Sequence, residues 1–105
     1  MNKISYSPAQ ISDLISSFDG FVIVYRSSCP YSQNAVHALE KSGQPLQKFE
    51  LSQIDASNPK ETMINQFKKT ISTFPSSHFT VPMIFYKGKF IGGYDQLKSY
   101  LRTIQ

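Results

Sequence analysis

The chain has 105 residues, of which 40% are hydrophobic and 17% charged, with a formal net charge of +4 and one cysteine, Cys29. This is one globular domain's worth of ordinary composition, expected to run over 1–105, and it argues against disorder. No apolar run approaches the ~20 residues of a bilayer span, residues 1–20 lack the apolar stretch and small-residue cleavage site of a signal peptide, and a single cysteine excludes a disulfide scaffold.

These features fit a soluble, cytoplasmic protein of a reducing compartment, with no membrane partner expected. The eleven Lys and Arg residues are spread along the chain, and only Lys68-Lys69 and Lys87-Gly88-Lys89 are local. The mild basicity reads as a solvated surface. With no basic run and no RNA-binding signature, no nucleic-acid partner is expected.

Periodicity divides the chain into alternating elements. Ser7-Pro8-Ala9-Gln10 opens the first helix with a serine cap, proline in the first turn and glutamine three residues after the cap. Ile11, Leu14, Ile15 and Phe18 lie on one helical face, and Asp19-Gly20 closes the helix. Phe21-Val22-Ile23-Val24-Tyr25 is continuously apolar, the pattern of a strand buried on both faces. Ser32, Ala35, Val36 and Leu39 return to helical spacing until Gly43, after Lys41. Leu46 to Leu51 reads as a weaker strand. Asn58-Pro59 starts a third helix, with Met63, Ile64, Phe67 and Ile71 on one face, and residues 72–79 read as a loop. Met83 to Tyr86 and Phe90-Ile91 read as strands joined by a turn at Lys87-Gly88-Lys89. Gly92-Gly93 breaks the chain before a last helix carrying Leu97, Tyr100, Leu101 and Ile104.

The order is αβαβαββα. A helix joins the first two strands, so they are expected to be parallel with a right-handed crossover, and the last two form an antiparallel hairpin. The predicted fold class is α/β, a four-stranded mixed sheet with helices on both faces.

Cys29 falls between the buried strand and the helix that Pro30 opens. A thiol at a helix N-terminus meets unpaired N–H groups and the positive end of the helix dipole, which lower its pKa and favour the reactive thiolate. Arg26, three residues upstream, adds positive charge. The site follows the carboxyl end of a strand, where open α/β sheets bind ligands. Cys29 is therefore read as a nucleophile rather than as a buried small hydrophobe. Ser32 stands where a Cys-x-x-Cys pair would hold its resolving thiol. Serine forms no disulfide, so a mixed disulfide on Cys29 has to be resolved by an external thiol. The Ser32 hydroxyl either hydrogen-bonds the thiolate or is an ordinary surface group of the helix start.

Cys29-Pro30-Tyr31-Ser32 after a hydrophobic strand, Thr80-Val81-Pro82 before a strand, and Gly92-Gly93-Tyr94-Asp95 before the last helix together resemble a glutaredoxin over about residues 8–102. The element order is similar to the glutaredoxin version of the thioredoxin fold. The resemblance implies that Cys29 is the catalytic thiol and that Val81-Pro82 is cis, turning the Val81 backbone toward Cys29. It further implies that Arg26, Tyr31, Thr80, Val81, Pro82, Gly93, Tyr94 and Asp95 form the glutathione site. Val81 would pair with the cysteinyl backbone as an added strand does. Helix-start N–H groups after Gly92-Gly93 would meet the γ-glutamyl carboxylate, with Asp95 facing its ammonium, and Arg26 would meet the glycine carboxylate. Arg26 stands where lysine is usual, Tyr94 where a small residue or cysteine is usual, and Gln96 where a second acid is common. The 72–79 loop is longer than typical, and its His78 either reaches the site or, as the favoured reading, is a solvated loop residue. His37 falls mid-helix and is assigned no role.

The expected function is glutathione-dependent reduction of protein–glutathione mixed disulfides by a monothiol mechanism at Cys29. Glutathione is the co-substrate, and no tightly bound cofactor or metal is expected. Glutathionylated proteins are the partners, glutathione reductase acts indirectly through glutathione, and the chain is expected to be a monomer. Ser32 fits a natural monothiol enzyme or a cysteine-to-serine variant of a dithiol one. Two alternatives remain. One is a [2Fe–2S] cluster held by two chains and two glutathiones, for which Pro30 and the short Arg26–Cys29 interval are unfavourable. The other is a non-catalytic interaction module on the same scaffold.

Overall fold

Local capping sets where the helices begin. Helix α1 (Pro8–Ser17) starts with the expected capping box: the Ser7 hydroxyl accepts from the Gln10 N–H at 3.1 Å, and Gln10 Oε1 accepts from the Ser7 N–H at 2.8 Å. Phe18, expected on the helical face, instead caps the end in extended conformation, its N–H donating to the Leu14 carbonyl at 2.8 Å. Strand β1 (Phe21–Tyr25), helix α2 (Pro30–Lys41), strand β2 (Leu46–Glu50), helix α3 (Pro59–Thr70), strands β3 (Met83–Tyr86) and β4 (Lys89–Gly92), and helix α4 (Tyr94–Ile104) follow. This structure, a computed structural model, describes residues 5–104; residues 1–4 and 105 of the expected 1–105 domain lie outside them.

Other boundaries differ from expectation for local reasons, and β4 extends past the expected Phe90-Ile91 to Gly92. Strand β2 ends at Glu50 rather than Leu51. The Glu50 carboxylate accepts from the Ser52 N–H at 3.0 Å, and Gln53 Oε1 accepts from the Glu50 N–H at 3.1 Å, winding Leu51–Gln53 into a short 3-10 turn. Ile71 caps α3 rather than extending it, yet stays buried. The β3–β4 turn contains two residues, Lys87 (φ 50°) and Gly88 (φ 85°), with Lys89 already paired to Tyr86. Positive φ at both central positions matches the twist of the flanking strands.

The sheet runs β2-β1-β3-β4. β1 is parallel to β2, with Phe21 opposite Leu46, and antiparallel to β3, with Val24 opposite Met83. β3 and β4 are antiparallel, and Ile91 is an extra residue between the Phe85–Phe90 and Ile84–Gly92 pairs. Because β1 is covered on both sides, its alternating side chains feed two cores. Val22 and Val24 join Ile11, Ile15, Met63 and Phe67 beneath α1 and α3. Phe21 and Ile23 join Ala35, Leu39, Ile84 and Leu97 beneath α2 and α4. The wholly buried Phe21, Phe67 and Phe85 each contribute about 1.5–3 kcal/mol from apolar burial. Tyr6 ties the preceding segment to the 3-10 turn, its N–H donating to the Gln53 carbonyl at 2.8 Å and its own carbonyl accepting from the Asp55 N–H at 2.8 Å. No helix among the described residues is long and apolar enough to cross a membrane.

Candidate active site

The connection from β1 to α2 sets Cys29 at the N-cap of α2 with Pro30 at the first helical position. A tight turn precedes it, the Cys29 N–H donating to the Arg26 carbonyl at 3.0 Å, and Gln33 Nε2 braces that turn by donating to the Ser27 carbonyl at 2.8 Å. Cys29 is partly exposed. Its thiol is held below the ordinary value, chiefly by the Ser32 backbone N–H; desolvation opposes this, and the Ser32 hydroxyl, the Tyr31 N–H and the Arg26 charge add to the lowering. The sulfur closes no capping hydrogen bond of ordinary geometry, so these donors bias the thiol toward thiolate without locking it in place.

Ser32 is not the surface residue that its polarity allowed. It is fully buried, at 0% exposure. The pitch of α2 turns it inward, where its Oγ accepts from the Arg26 N–H at 3.3 Å.

Beyond Tyr31 lies a groove of about 680 Å³ whose lining includes Thr80, Val81, Pro82, Gly93, Tyr94 and Asp95. The Val81-Pro82 bond is cis, as expected. The wall at 80–82 and the corner at 92–95 meet because Ile84 pairs with Gly92; a Cβ on Gly93 would come 3.8 Å from the Pro82 carbonyl oxygen. Tyr31 stands on the rim, 62% exposed. Tyr94 faces the groove with the Lys98 ammonium 4.9 Å from its ring centroid, and Lys98 also pairs with Asp95 at 3.7 Å.

Arg26 lines a neighbouring hollow of about 660 Å³ with Glu50, Asn58 and Lys60. At the other end of the groove the Gly93 N–H is taken by Gln96 Oε1 at 2.9 Å. Gln96 thus completes the start of α4 as a capping glutamine does, leaving the N–H groups of Tyr94 and Asp95 as the donors at that end.

The sequence reading missed Thr73, Pro75, Phe90 and Gln96 as groove lining, and it favoured solvent for His78 over a place at the site. His78 instead lines the groove, half-buried, with Nε2 2.8 Å from the Thr80 carbonyl oxygen. Phe79, beside it, is 68% exposed. The 73–78 loop meets Phe90 of β4 through tertiary contacts such as the Phe90 N–H to Thr73 Oγ1 bond at 2.9 Å, so no local signal marks these residues. Among the described residues, no group of three or more His, Cys, Asp or Glu side chains is arranged to hold a metal ion.

A family model described as Glutaredoxin matches residues 21–91. The chain is 33% identical over 100 residues to a probable glutaredoxin of Acanthamoeba polyphaga mimivirus, covering 93% of this chain and 94% of that one. Its fold is similar to the solution structure of a dithiolic glutaredoxin from Trypanosoma brucei brucei (TM-score 0.69, 24% identity, 89% of this chain and 87% of that one). It is also similar to a buckwheat glutaredoxin–glutathione complex (TM-score 0.68, 22% identity, 91% and 79%).

Proposed function

This chain belongs to the glutaredoxin family, a family of thiol–disulfide oxidoreductases, and from that premise we propose that it reduces protein–glutathione mixed disulfides by a monothiol mechanism. The observation that carries the reading is the pairing of one thiolate-biased cysteine at a helix N-terminus with a buried serine at the resolving position. The buckwheat relative is a glutathione complex, and the groove here offers an extended wall, a helix start and an acidic residue to a small peptide of that kind.

The Cys29 thiolate attacks the glutathione sulfur of the mixed disulfide. The protein–glutathione S–S bond breaks, the protein leaves as a thiolate that takes up a proton, and a Cys29–glutathione disulfide forms. Ser32 has no thiol to displace this adduct. A second glutathione thiolate therefore attacks the bound glutathione sulfur, releasing oxidised glutathione and restoring the Cys29 thiolate. Each step exchanges one S–S bond for another. In sum the mixed disulfide and one free glutathione give the protein thiol and oxidised glutathione, which glutathione reductase would return to the thiol form. A modestly lowered pKa serves both steps, because it raises the thiolate fraction and improves Cys29 as a leaving group.

The Val81 backbone would pair with the peptide, the Tyr94 and Asp95 N–H groups would meet the γ-glutamyl carboxylate, and the Asp95 carboxylate would face the ammonium. The Arg26 charge helps to lower the Cys29 thiol, and its guanidinium would meet the glycine carboxylate. Such a cycle needs a glutathione-rich, reducing compartment, and we assign the protein to the cytoplasm as a monomer. The test is glutathione-dependent turnover of a small mixed disulfide, coupled to NADPH oxidation through glutathione reductase. Cys29→Ser should abolish it, and a Cys29→Ser protein with unchanged turnover overturns the reading.

A further inference from the structure

The mechanism above makes no use of His78, yet its ring is held between two aromatic side chains at the groove. Its ring sits edge-on against Phe74 (5.7 Å between centroids) and Phe90 (4.8 Å). Phe74 in turn packs on Phe67 and Phe90, with centroids 5.5 and 4.7 Å away, so the seat is continuous with the core. The surrounding loop is tied down as well: the His78 N–H donates to the Pro75 carbonyl at 3.2 Å, and the Phe90 N–H donates to Thr73 Oγ1 at 2.9 Å. From this seat Nε2 reaches the Thr80 carbonyl oxygen at 2.8 Å. A carbonyl oxygen offers only lone pairs, so Nε2 is the protonated ring nitrogen. Thr80 is exposed and lies outside every strand, so no sheet ladder holds it.

We propose that His78 is a positioning residue for thiol–disulfide exchange: from its aromatic seat it holds the Thr80 carbonyl, and thereby fixes the Thr80-Val81-Pro82 wall in the orientation that receives the extended peptide portion of a glutathione disulfide. The proposal rests on the glutathione-dependent reading above. It assigns His78 an effect on substrate binding and none on formation of the Cys29 thiolate.

Three substitutions separate the donor from the ring. His78→Phe keeps an aromatic side chain and removes the donor. His78→Gln places an amide N–H at about the position of Nε2. His78→Asn places it nearer the position of Nδ1. Loss of one hydrogen bond of ordinary net strength corresponds to about a fivefold change. The expected result is a rise of about fivefold in KM for the mixed disulfide in His78→Phe and His78→Asn, with kcat nearly unchanged, and parent-like values in His78→Gln. Calorimetric binding of S-methylglutathione, which requires no reactive thiol, should weaken in the same order. An unchanged KM in His78→Phe and His78→Asn overturns the proposal. So does an equal rise in all three variants, or a fall in kcat alone. If the Phe variant fails to fold, the Gln–Asn comparison decides the matter. Turnover by Cys29→Ser, or absence of S-methylglutathione binding to the parent, overturns the underlying reading instead.

Discussion

The Arg26 backbone nitrogen donates to the buried Ser32 hydroxyl oxygen at 3.3 Å. The hydroxyl oxygen is occupied as an acceptor, and its proton is available to the Cys29 sulfur, one of the influences that lower that thiol. Ser32→Ala removes both partners at once. Loss of one hydrogen bond of ordinary net strength costs about 0.5–1.5 kcal/mol, so we expect a stability loss in that range by urea unfolding. The pH midpoint of Cys29 alkylation should also move upward. An unchanged midpoint would show that the Ser32 hydroxyl does not act on the sulfur.

Cys29 ionises more readily in the folded chain than an ordinary thiol does. Below its folded pKa the thiol is protonated in both states, and the group contributes nothing. As pH rises from there toward the ordinary thiol value, the unfolded chain binds the proton more tightly than the folded one, so folding stability increases. Compared with Cys29→Ser, the parent should gain stability across that window, read as a divergence of unfolding midpoints measured over pH. Parallel profiles would show that the thiolate is not favoured by the fold.

Gly92 has φ 130°, and a Cβ there would lie 2.8 Å from Gln96 Cβ and Cγ. Gly43 has φ 75° and open space around it. Gly92→Ala should cost about 1–3 kcal/mol of backbone strain, plus the displacement of Gln96 from the Gly93 N–H. Gly43→Ala should cost only the left-handed penalty of about 1–2 kcal/mol. Denaturant unfolding should rank the two in that order. Gly92→Ala alone should weaken S-methylglutathione binding, because it disturbs the corner at the start of α4.

Ser7 and Gln10 satisfy each other's backbone N–H groups at the start of α1, away from the groove. Ser7→Ala should cost about 1 kcal/mol, measured by urea unfolding, with turnover of the mixed disulfide unchanged. A loss below a few tenths of a kcal/mol would show that the capping box does not hold the helix start in solution.

The helices and strands were legible because their signals are local. The Ser7–Gln10 box, Pro30 and Pro59 at helix starts, and the apolar run Phe21–Tyr25 each state their structure within a few residues. The errors at Leu51, Ile71 and Lys89 were one-residue shifts at element ends, where side-chain caps and turn geometry compete with periodicity. Cys29 at the N-cap, cis-Pro82, and the gathering of residues 80–82 with 93–95 along one groove were likewise readable from motif and order. The hydrogen bonds inside the site were not.

By itself the sequence determined which segments become helices and strands, which cysteine is placed at a helix start, and that no second thiol stands beside it. These are properties of short stretches, dictated by side-chain periodicity, caps and residue identity. Only the tertiary structure decided that β1 lies between β2 and β3, that Ser32 turns inward to Arg26, that Gln96 takes the Gly93 N–H, that Arg26 lines a neighbouring hollow, and that His78 reaches Thr80 from an aromatic seat. Each depends on where a side chain points once distant strands have paired. Burial and hydrogen-bond satisfaction then choose among orientations that the local chain leaves open.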